Sequence, residues 1–243
     1  MATRNDHGFW PYLVPYFIAY FILVEVGNRA PAEAAAPVLA AKAALPLGLF
    51  LFYFLGRGEY PELRGYDWRP SALGLDVLVG AAGAALWMAP YLVFPSLQPE
   101  PDAAFDPNQI GPELSWLVLV LRGTGYCVAT PFIEELFLRS WLQRYVEVFD
   151  SRRDFRKVAM ARFSWRSFIV VVIAFTASHV PWEWPVAVAW IVLTQWYFYR
   201  RGHLTALVIV HASSNLCIFL AALFGGSGWP GPNGQSIALW FFV

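Results

Sequence analysis

Seven stretches of mostly apolar residues follow one another along the chain, separated by short polar loops. A helix needs roughly 17–25 apolar residues to cross a bilayer core. This criterion predicts spans at about 8–26, 37–55, 72–94, 122–145, 166–180, 185–200 and 204–224. We therefore predict an all-α fold, a polytopic transmembrane helix bundle of about seven spans, with eight as the alternative count. Residues 1–243 are expected to form a single integral-membrane domain.

Charged residues lie largely in the loops, and their sign predicts the orientation. Loops 56–70 and 146–166 and the end of the sixth span carry arginine or lysine, whereas loop 95–113 carries only acidic residues. Basic residues in short loops mark the cytoplasmic side of a membrane. Together with Arg4, this pattern predicts a cytoplasmic N-terminus. The sequence leaves open whether the apolar end of the tail, 225–243, dips into the membrane interface.

Composition agrees with a protein that exposes much of its surface to lipid. Hydrophobic residues make up 58% of the chain and charged residues 14%, against about a quarter charged in soluble domains. The net charge is zero and the basic residues sit in short loops, so nothing suggests nucleic-acid binding. Cys127 and Cys217 lie inside apolar spans and are expected to be small core residues.

The first span could be mistaken for a secretory signal. Arg4 precedes it, and the alanine-rich stretch 30–36 resembles a cleavage region. However, the run 8–26 is longer than the usual apolar core of a signal peptide and carries aromatics throughout. The pattern favours a retained first helix.

The residue at which the fourth span enters the bilayer is ambiguous in the sequence. The apolar run 114–145 is too long for one straight crossing, and Arg122 offers an outer boundary. Residues 114–121 then form an interfacial lead-in and Glu134 falls near the midplane of the bilayer. Pro131 is expected to kink the helix just before this glutamate.

Three polar groupings interrupt the apolar spans. A charged side chain near the bilayer centre costs at least about 2.5–3.5 kcal/mol on insertion scales, so such groups indicate function by default. The groupings are Glu134, Glu135 and Arg139 in the fourth span, Phe175 and His179 in the fifth, and His211 and Asn215 in the seventh.

Helical spacing predicts different roles for the residues of these polar groupings. Glu135 and Arg139 are four residues apart, share a helix face and can pair, whereas Glu134 is rotated by roughly 100° and left available for chemistry. His211 and Asn215 can face one cavity by the same rule. All three groupings reach a similar, central depth.

These residue types can carry out hydrolysis. A buried carboxylate can take a proton from water, a neutral histidine can orient that water, and a second histidine with an amide can stabilise an oxyanion. Glu134, His179 and His211 could instead bind a divalent metal such as zinc. Because there is no His-Glu-x-x-His motif, water activation without a required cofactor is favoured over a metal site.

Non-catalytic alternatives exist for every feature taken alone. A Glu–Arg pair can clamp helices, an asparagine can join them, and Trp182 and Trp184 beside Glu183 are typical of an interfacial belt. The cluster could therefore belong to a membrane scaffold or immunity protein. A proton- or ion-coupled transporter is the other alternative, although no inverted repeat is visible in the sequence.

The three groupings together resemble a known family. Glu-Glu-x-x-x-Arg, Phe-x-x-x-His and His-x-x-x-Asn, in this order, resemble the CPBP family of type II CAAX prenyl endopeptidases and bacteriocin-processing or immunity (Abi) proteins. The resemblance covers roughly residues 112–224. It implies an intramembrane peptidase in which Glu134 is the general base, His179 positions the water, and His211 and Asn215 form the oxyanion site. Glu135 and Arg139, with Phe175, would support the site.

The resemblance says less about the substrate. Eukaryotic and archaeal relatives cut a C-terminal tripeptide after a prenylated cysteine, whereas many bacterial relatives have other substrates. The chain is most similar in character to the bacterial CAAX prenyl protease-related group linked to exosortase sorting systems. We therefore expect a membrane-associated substrate, prenylated or otherwise lipid-anchored, and a location in the bacterial inner membrane.

Overall fold

The computed structural model is built almost entirely of helices. It describes residues 8–99, 104–151, 153–225, 229–230, 236–237 and 239–243. The helical segments are α1 (Trp10–Arg29), α2 (Ala35–Gly56), α3 (Pro70–Val93), α4 (Pro112–Tyr145), α5 (Trp165–Ala177), α6 (Trp184–Arg201) and α7 (Leu204–Gly225). Each coincides with a predicted span. Five of them, α1–α4 and α7, are long and apolar enough to cross a membrane, so a count of seven crossings stays a prediction.

The turn between α5 and α6 differs from the prediction. The fifth span was expected to continue to residue 180, but α5 ends at Ala177 and leaves His179 outside the helix. The reason is Pro181, which lacks a backbone N–H and forces the preceding Val180 into an extended conformation. His179 is therefore held by a turn, where its position depends on side-chain contacts.

Helix α4 is one continuous segment of 34 residues. The predicted lead-in, 114–121, is helical and runs directly into the span. Two wide π turns interrupt the α-helical geometry, at Gly125–Ala129 and at Leu136–Leu142. The first comes just before Pro131, whose ring and missing N–H would disturb a regular turn there. π turns of this kind are frequent at functional sites, and these two flank the glutamates.

Helix α7 is the centre of the bundle. In the most apolar 18-residue stretch of α7, 50% is buried, against 22–28% in the corresponding stretches of the four other long helices. Those outer helices expose large apolar side chains: Leu55 and Leu78 are 73% and 68% exposed. Aliphatic side chains presented outward at this scale fit contact with lipid rather than with water.

Gly80 lets α3 approach α7 closely, and Gly83 lets it approach Trp190 on α6. A Cβ atom at Gly80 would lie 2.4 Å from the carbonyl oxygen of Val210, and one at Gly83 would lie 2.9 Å from the Trp190 ring nitrogen. Small residues at such positions are what allow membrane helices to pack backbone against backbone.

Substituting Gly80 with alanine is expected to lower the free energy of unfolding by about 1–3 kcal/mol, because the new methyl group overpacks a backbone contact. The matched control is Gly74→Ala on the same helix, where a Cβ meets nothing within 4 Å. Thermal unfolding in detergent compares the two variants. Equal midpoints would contradict the close approach of α3 and α7.

Two buried polar networks anchor the loop 57–69 to the helix ends. Asp76 is fully buried on α3 and accepts hydrogen bonds from Arg201 at 3.0 Å and from the hydroxyls of Tyr66 and Tyr197. Burial and the hydrogen bond to Asp76 raise the pKa of Tyr66 to about 12, so its hydroxyl stays a donor at neutral pH. The second network joins Glu62 to Ser140 and Arg144 on α4.

The tail folds back on the bundle. Trp229–Pro230 and Ser236–Ile237 form a short antiparallel pair, and a helical turn follows at Leu239–Phe242. Leu239 and Phe242 are buried, and the backbone N–H of Phe105 donates to the carbonyl of Trp240 at 3.1 Å. This turn closes one side of the central cavity.

Candidate active site

A cavity of about 430 Å³ lies among α1, α3, α4, α7, the α5–α6 turn and the tail turn. Every residue predicted to be catalytic lines it. Glu134 comes from α4, His179 from the turn after α5, and His211 and Asn215 from α7. Phe175 lines it as well. The remaining lining residues used below are Tyr20, Arg122, Tyr126, Thr130, Trp182, Glu183, Trp190 and Ser214.

The two neighbouring glutamates have different surroundings. Glu135 and Arg139 are both fully buried, with 3.3 Å between Nη1 and Oε2. Arg139 also donates to Gln195 at 3.0 Å and to Thr194 at 2.9 Å, both on α6. The predicted i,i+4 pair is therefore present, and it ties α4 to α6.

Glu134 faces the cavity, and only one of its two carboxylate oxygens has a hydrogen-bond partner among the described residues. The hydroxyl of Tyr20 on α1 donates a hydrogen bond to its Oε1 atom. Its Oε2 atom is buried and has no hydrogen-bond partner among the described residues, and His211 Nε2 lies 3.8 Å from it. A buried carboxylate oxygen without a partner is unusual in proteins, and this one is available to a water or a substrate.

His211 lies between the two glutamates. Its Nδ1 atom is 3.0 Å from Glu135 Oε1, and its ring packs edge-on against Trp190 with centroids 4.8 Å apart. Because an ionised carboxylate only accepts, Nδ1 carries the proton. The contact fixes the ring so that Nε2 points towards Glu134 and the cavity.

His179 is oriented by the end of α5. Its Nδ1 atom lies 2.8 Å from the carbonyl oxygen of Phe175, and the two rings are 4.4 Å apart. A carbonyl oxygen accepts, so Nδ1 is the protonated nitrogen and Nε2 is left as a free acceptor. The Phe175 ring therefore packs beside the imidazole even though His179 lies beyond the end of the helix.

Asn215 is fixed by one of its two amide protons. Its Nδ2 atom donates to the carbonyl oxygen of Tyr126 at 2.8 Å, at the π turn of α4 where the regular backbone pattern is broken. One N–H remains for another acceptor. The residue therefore joins α7 to α4 and still presents a donor at the cavity.

Several polar lining residues were not singled out as site residues from the sequence, among them Tyr20, Arg122, Tyr126 and Glu183. Tyr20 sits in an apolar span among other aromatics, and only its hydroxyl distinguishes it. Trp182 and Glu183 were interpreted as part of an interfacial belt, but both line the cavity. Burial raises the pKa of Glu183, which is a second acidic group near the site.

Replacing Tyr20 with phenylalanine is expected to lower kcat for peptide hydrolysis, the activity that the sequence resemblance implies, by about 10-fold, because one charge-assisted hydrogen bond to Glu134 is lost. Tyr12→Phe is the matched control, since its hydroxyl lies two turns earlier on α1 and Tyr12 does not line the cavity. Initial rates for both variants at saturating peptide give the comparison. Equal initial rates for the two variants would show that the Tyr20 hydroxyl takes no part in the reaction.

A metal site was the alternative for this cluster. Histidine and carboxylate are suitable zinc ligands, but among the described residues no three His, Cys, Asp or Glu side chains are grouped so that they could hold a metal ion. As they lie in the described part of the chain, Glu134, His179 and His211 therefore do not form a three-ligand metal site.

Comparison with known proteins gives one match. The model of the family described as type II CAAX prenyl endopeptidase Rce1-like matches residues 114–217, a range that contains every predicted site residue and begins near the start of α4. No curated protein and no solved structure matches the chain. With its long apolar helices, the chain is an integral membrane protein, and its residues 114–217 are similar to the type II CAAX prenyl endopeptidase Rce1-like family of proteases.

Proposed function

We propose that this protein is an intramembrane endopeptidase that hydrolyses a peptide bond of a membrane-associated protein with a water activated by Glu134. The observation that carries the proposal is the unpartnered Oε2 atom of Glu134, buried in a cavity that also receives His179, His211 and Asn215. The Oε2 atom of Glu135 also has no hydrogen-bond partner among the described residues, but it lies 3.3 Å from Arg139 Nη1, and Glu135 does not line the cavity. The family match supports peptidase activity in general.

The proposed first step is proton removal from water. A water between Glu134 Oε2 and His179 Nε2 would be held by two acceptors and directed at a peptide carbonyl carbon. Glu134 takes a proton as the water oxygen attacks. The same proton then passes to the leaving amine, so the carboxylate is restored when the peptide bond breaks.

The developing oxyanion needs donors placed in advance. Asn215 offers its second N–H. His211 would donate through Nε2 when its ring carries a proton on both nitrogens, and its Nδ1 atom lies 3.0 Å from Glu135 Oε1. In this scheme Glu135 and Arg139 act through His211 and do not touch the substrate.

The substrate is proposed to be a membrane-associated protein, prenylated or otherwise lipid-anchored. The family description supports a CAAX-type substrate class, and the apolar outer helices would keep the enzyme and an anchored substrate in one bilayer. We further propose the bacterial inner membrane and a cytoplasmic N-terminus, on the basis of the arginine-rich loops.

The test uses the purified full-length protein in detergent or proteoliposomes. A panel of peptides carries a farnesyl, a geranylgeranyl or an acyl anchor, or no anchor, and products are identified by mass. Wild-type protein is expected to cut an anchored peptide, and His211→Ala is expected to lose that activity. Activity that survives a strong chelator supports the metal-free mechanism; complete loss, restored by zinc, would refute it. Failure of wild type on every peptide would favour a scaffold or transporter.

A further inference from the structure

A second, smaller cavity lies between α1, α2 and α4 and adjoins the first. It encloses about 140 Å³, and the two cavities share Tyr20, Arg122, Tyr126 and Thr130 among their lining residues. The charged residues of its described lining are Lys42 on α2 and Arg122 on α4, and no acidic residue is among them. Two like charges that line one small cavity repel each other, so the pair becomes more stable when an anion binds.

Arg122 has no acid as a partner among the described residues. Its Nε atom is buried without a hydrogen bond, and its guanidinium lies 5.2 Å from the centre of the Phe105 ring and 5.8 Å from that of Tyr126. These aromatic faces offset part of the cost of withdrawing a cation from water, but they supply no acceptor for Nε. The other arginines embedded in the bundle do have acids: Arg139 pairs with Glu135, Arg144 with Glu62 and Arg201 with Asp76.

Lys42 is the second cation at this end of the bundle. Helix α2 begins at Ala35, so Lys42 lies about 10 Å in from the α1–α2 turn at 1.5 Å per residue. Its Nζ atom lies against the backbone of α1, because a Cβ atom at Gly27 would be 2.5 Å from it. The ion pairs of the described residues include neither Lys42 nor Arg122. Both cations are therefore available to one external anion.

We propose that Lys42 and Arg122 form a binding site for the phosphate of an anionic phospholipid. A guanidinium binds phosphate oxygens through two parallel N–H···O bonds, and a lysine adds a point charge. The wall beyond the two cations is apolar and consists of Ala43 and Pro46 on α2 and Ala129 and Ile133 on α4. A cavity of about 140 Å³ holds the phosphate and the start of a chain, while the rest of the lipid stays in the bilayer. This inference does not depend on the proposed peptidase activity.

A lipid is favoured over a free phosphate ion as the source of the anion. Leu45 and Val128, each next in sequence to a residue of the cavity wall, are 50% and 42% exposed, so both helices that enclose the cavity also border the lipid. A free ion would have to leave its water for an apolar wall, which is costly. A glycerol headgroup is favoured over choline, because the described lining has no acid that could accept a headgroup ammonium.

The first test compares ligands on the wild-type protein. Full-length protein in detergent is titrated with phosphatidylglycerol, with phosphatidylcholine of the same acyl chains, and with inorganic phosphate, and the unfolding midpoint is followed. A ligand that binds only the folded state raises the midpoint as its concentration rises. We expect the apparent Kd for phosphatidylglycerol to be at least about 10-fold lower than for phosphatidylcholine, and inorganic phosphate to leave the midpoint unchanged.

Variants then locate the site. Arg122→Gln and Lys42→Gln should each raise the Kd for phosphatidylglycerol by about 10–100-fold, the loss expected for one charge-assisted hydrogen bond. Arg122→Lys should keep part of the affinity. The matched control is Arg29→Gln, at an exposed arginine of the same end of the bundle that pairs with Glu25 and does not line this cavity, and it should bind as the wild type does. Two independent cation variants keep the test decisive when one of them does not fold.

Four outcomes would overturn the lipid site. Equal affinity for the two lipids would refute the preference for an anionic headgroup. A shift with inorganic phosphate as large as that with phosphatidylglycerol would assign the cations to a free anion. Wild-type affinity in both Arg122→Gln and Lys42→Gln would place the lipid elsewhere. An equal loss in Arg29→Gln would indicate general attraction to a positive surface. Each of these outcomes leaves the proposed peptidase activity intact, because that activity is tested by peptide cleavage.

Discussion

Replacing Glu134 with glutamine is expected to lower kcat/KM for peptide hydrolysis by about 10²–10⁴-fold, the usual contribution of a general base. Glutamine has the same shape and can still accept the hydrogen bond from Tyr20, but its amide cannot take a proton from water. Thermal stability should change little. Rates at saturating and at limiting peptide, measured beside the midpoint of unfolding, separate chemistry from folding.

The control for this experiment is an acid of the same type away from the cavity. Glu25 lies on α1 and pairs with Arg29 at the surface, so Glu25→Gln should retain wild-type rates. If Glu134→Gln kept wild-type kcat/KM, the glutamate would not be the base. If it lost activity together with many degrees of thermal stability, its role would be structural.

Replacing Arg139 with methionine is expected to cause the largest loss of stability, about 3–5 kcal/mol, because it leaves the buried Glu135 without its cation. Arg139 is fully buried and also holds Gln195 and Thr194 of α6. For a chain of this size the loss corresponds to a fall of about 6–20 °C in the unfolding midpoint. Activity should fall as well, because Glu135 positions His211.

The double variant Glu135→Gln, Arg139→Met distinguishes a charge pair from mere loss of packing. Removing both charges should recover a large part of the stability lost in Arg139→Met, since no unpaired ion remains. It should not recover activity, because His211 would lack its carboxylate. A double variant as unstable as the single one would show that the arginine acts through its volume and its contacts with α6.

The sequence was sufficient to predict the helices and the members of the cluster. Apolar run lengths predicted all seven helical segments, and the cost of polar groups in a bilayer pointed to Glu134, His179, His211 and Asn215. All four line one cavity. The positions of the helices and the shared cavity follow from apolar run length and residue spacing, which a sequence records directly, whereas the catalytic roles of these four residues stay a prediction.

Features that depend on contacts between distant segments could not be predicted. Tyr20 reaches Glu134 across 114 positions of the chain, and nothing in its neighbourhood marks that contact. The predicted end of α5 was three residues too late, because the prediction followed the apolar run to residue 180 and gave too little weight to the helix-breaking effect of Pro181. The Asp76 network likewise joins α3, α6 and a loop, so its partners lie far apart in sequence.

The most direct test of the account follows the oxygen of the attacking water. Purified protein in proteoliposomes is incubated with an anchored peptide in H₂¹⁸O, and both products are weighed. We predict that the wild-type enzyme places one ¹⁸O atom in the new C-terminal carboxylate, and that Glu134→Gln, folded to the same midpoint, yields almost no product. Labelled product at the wild-type rate from Glu134→Gln would contradict the account.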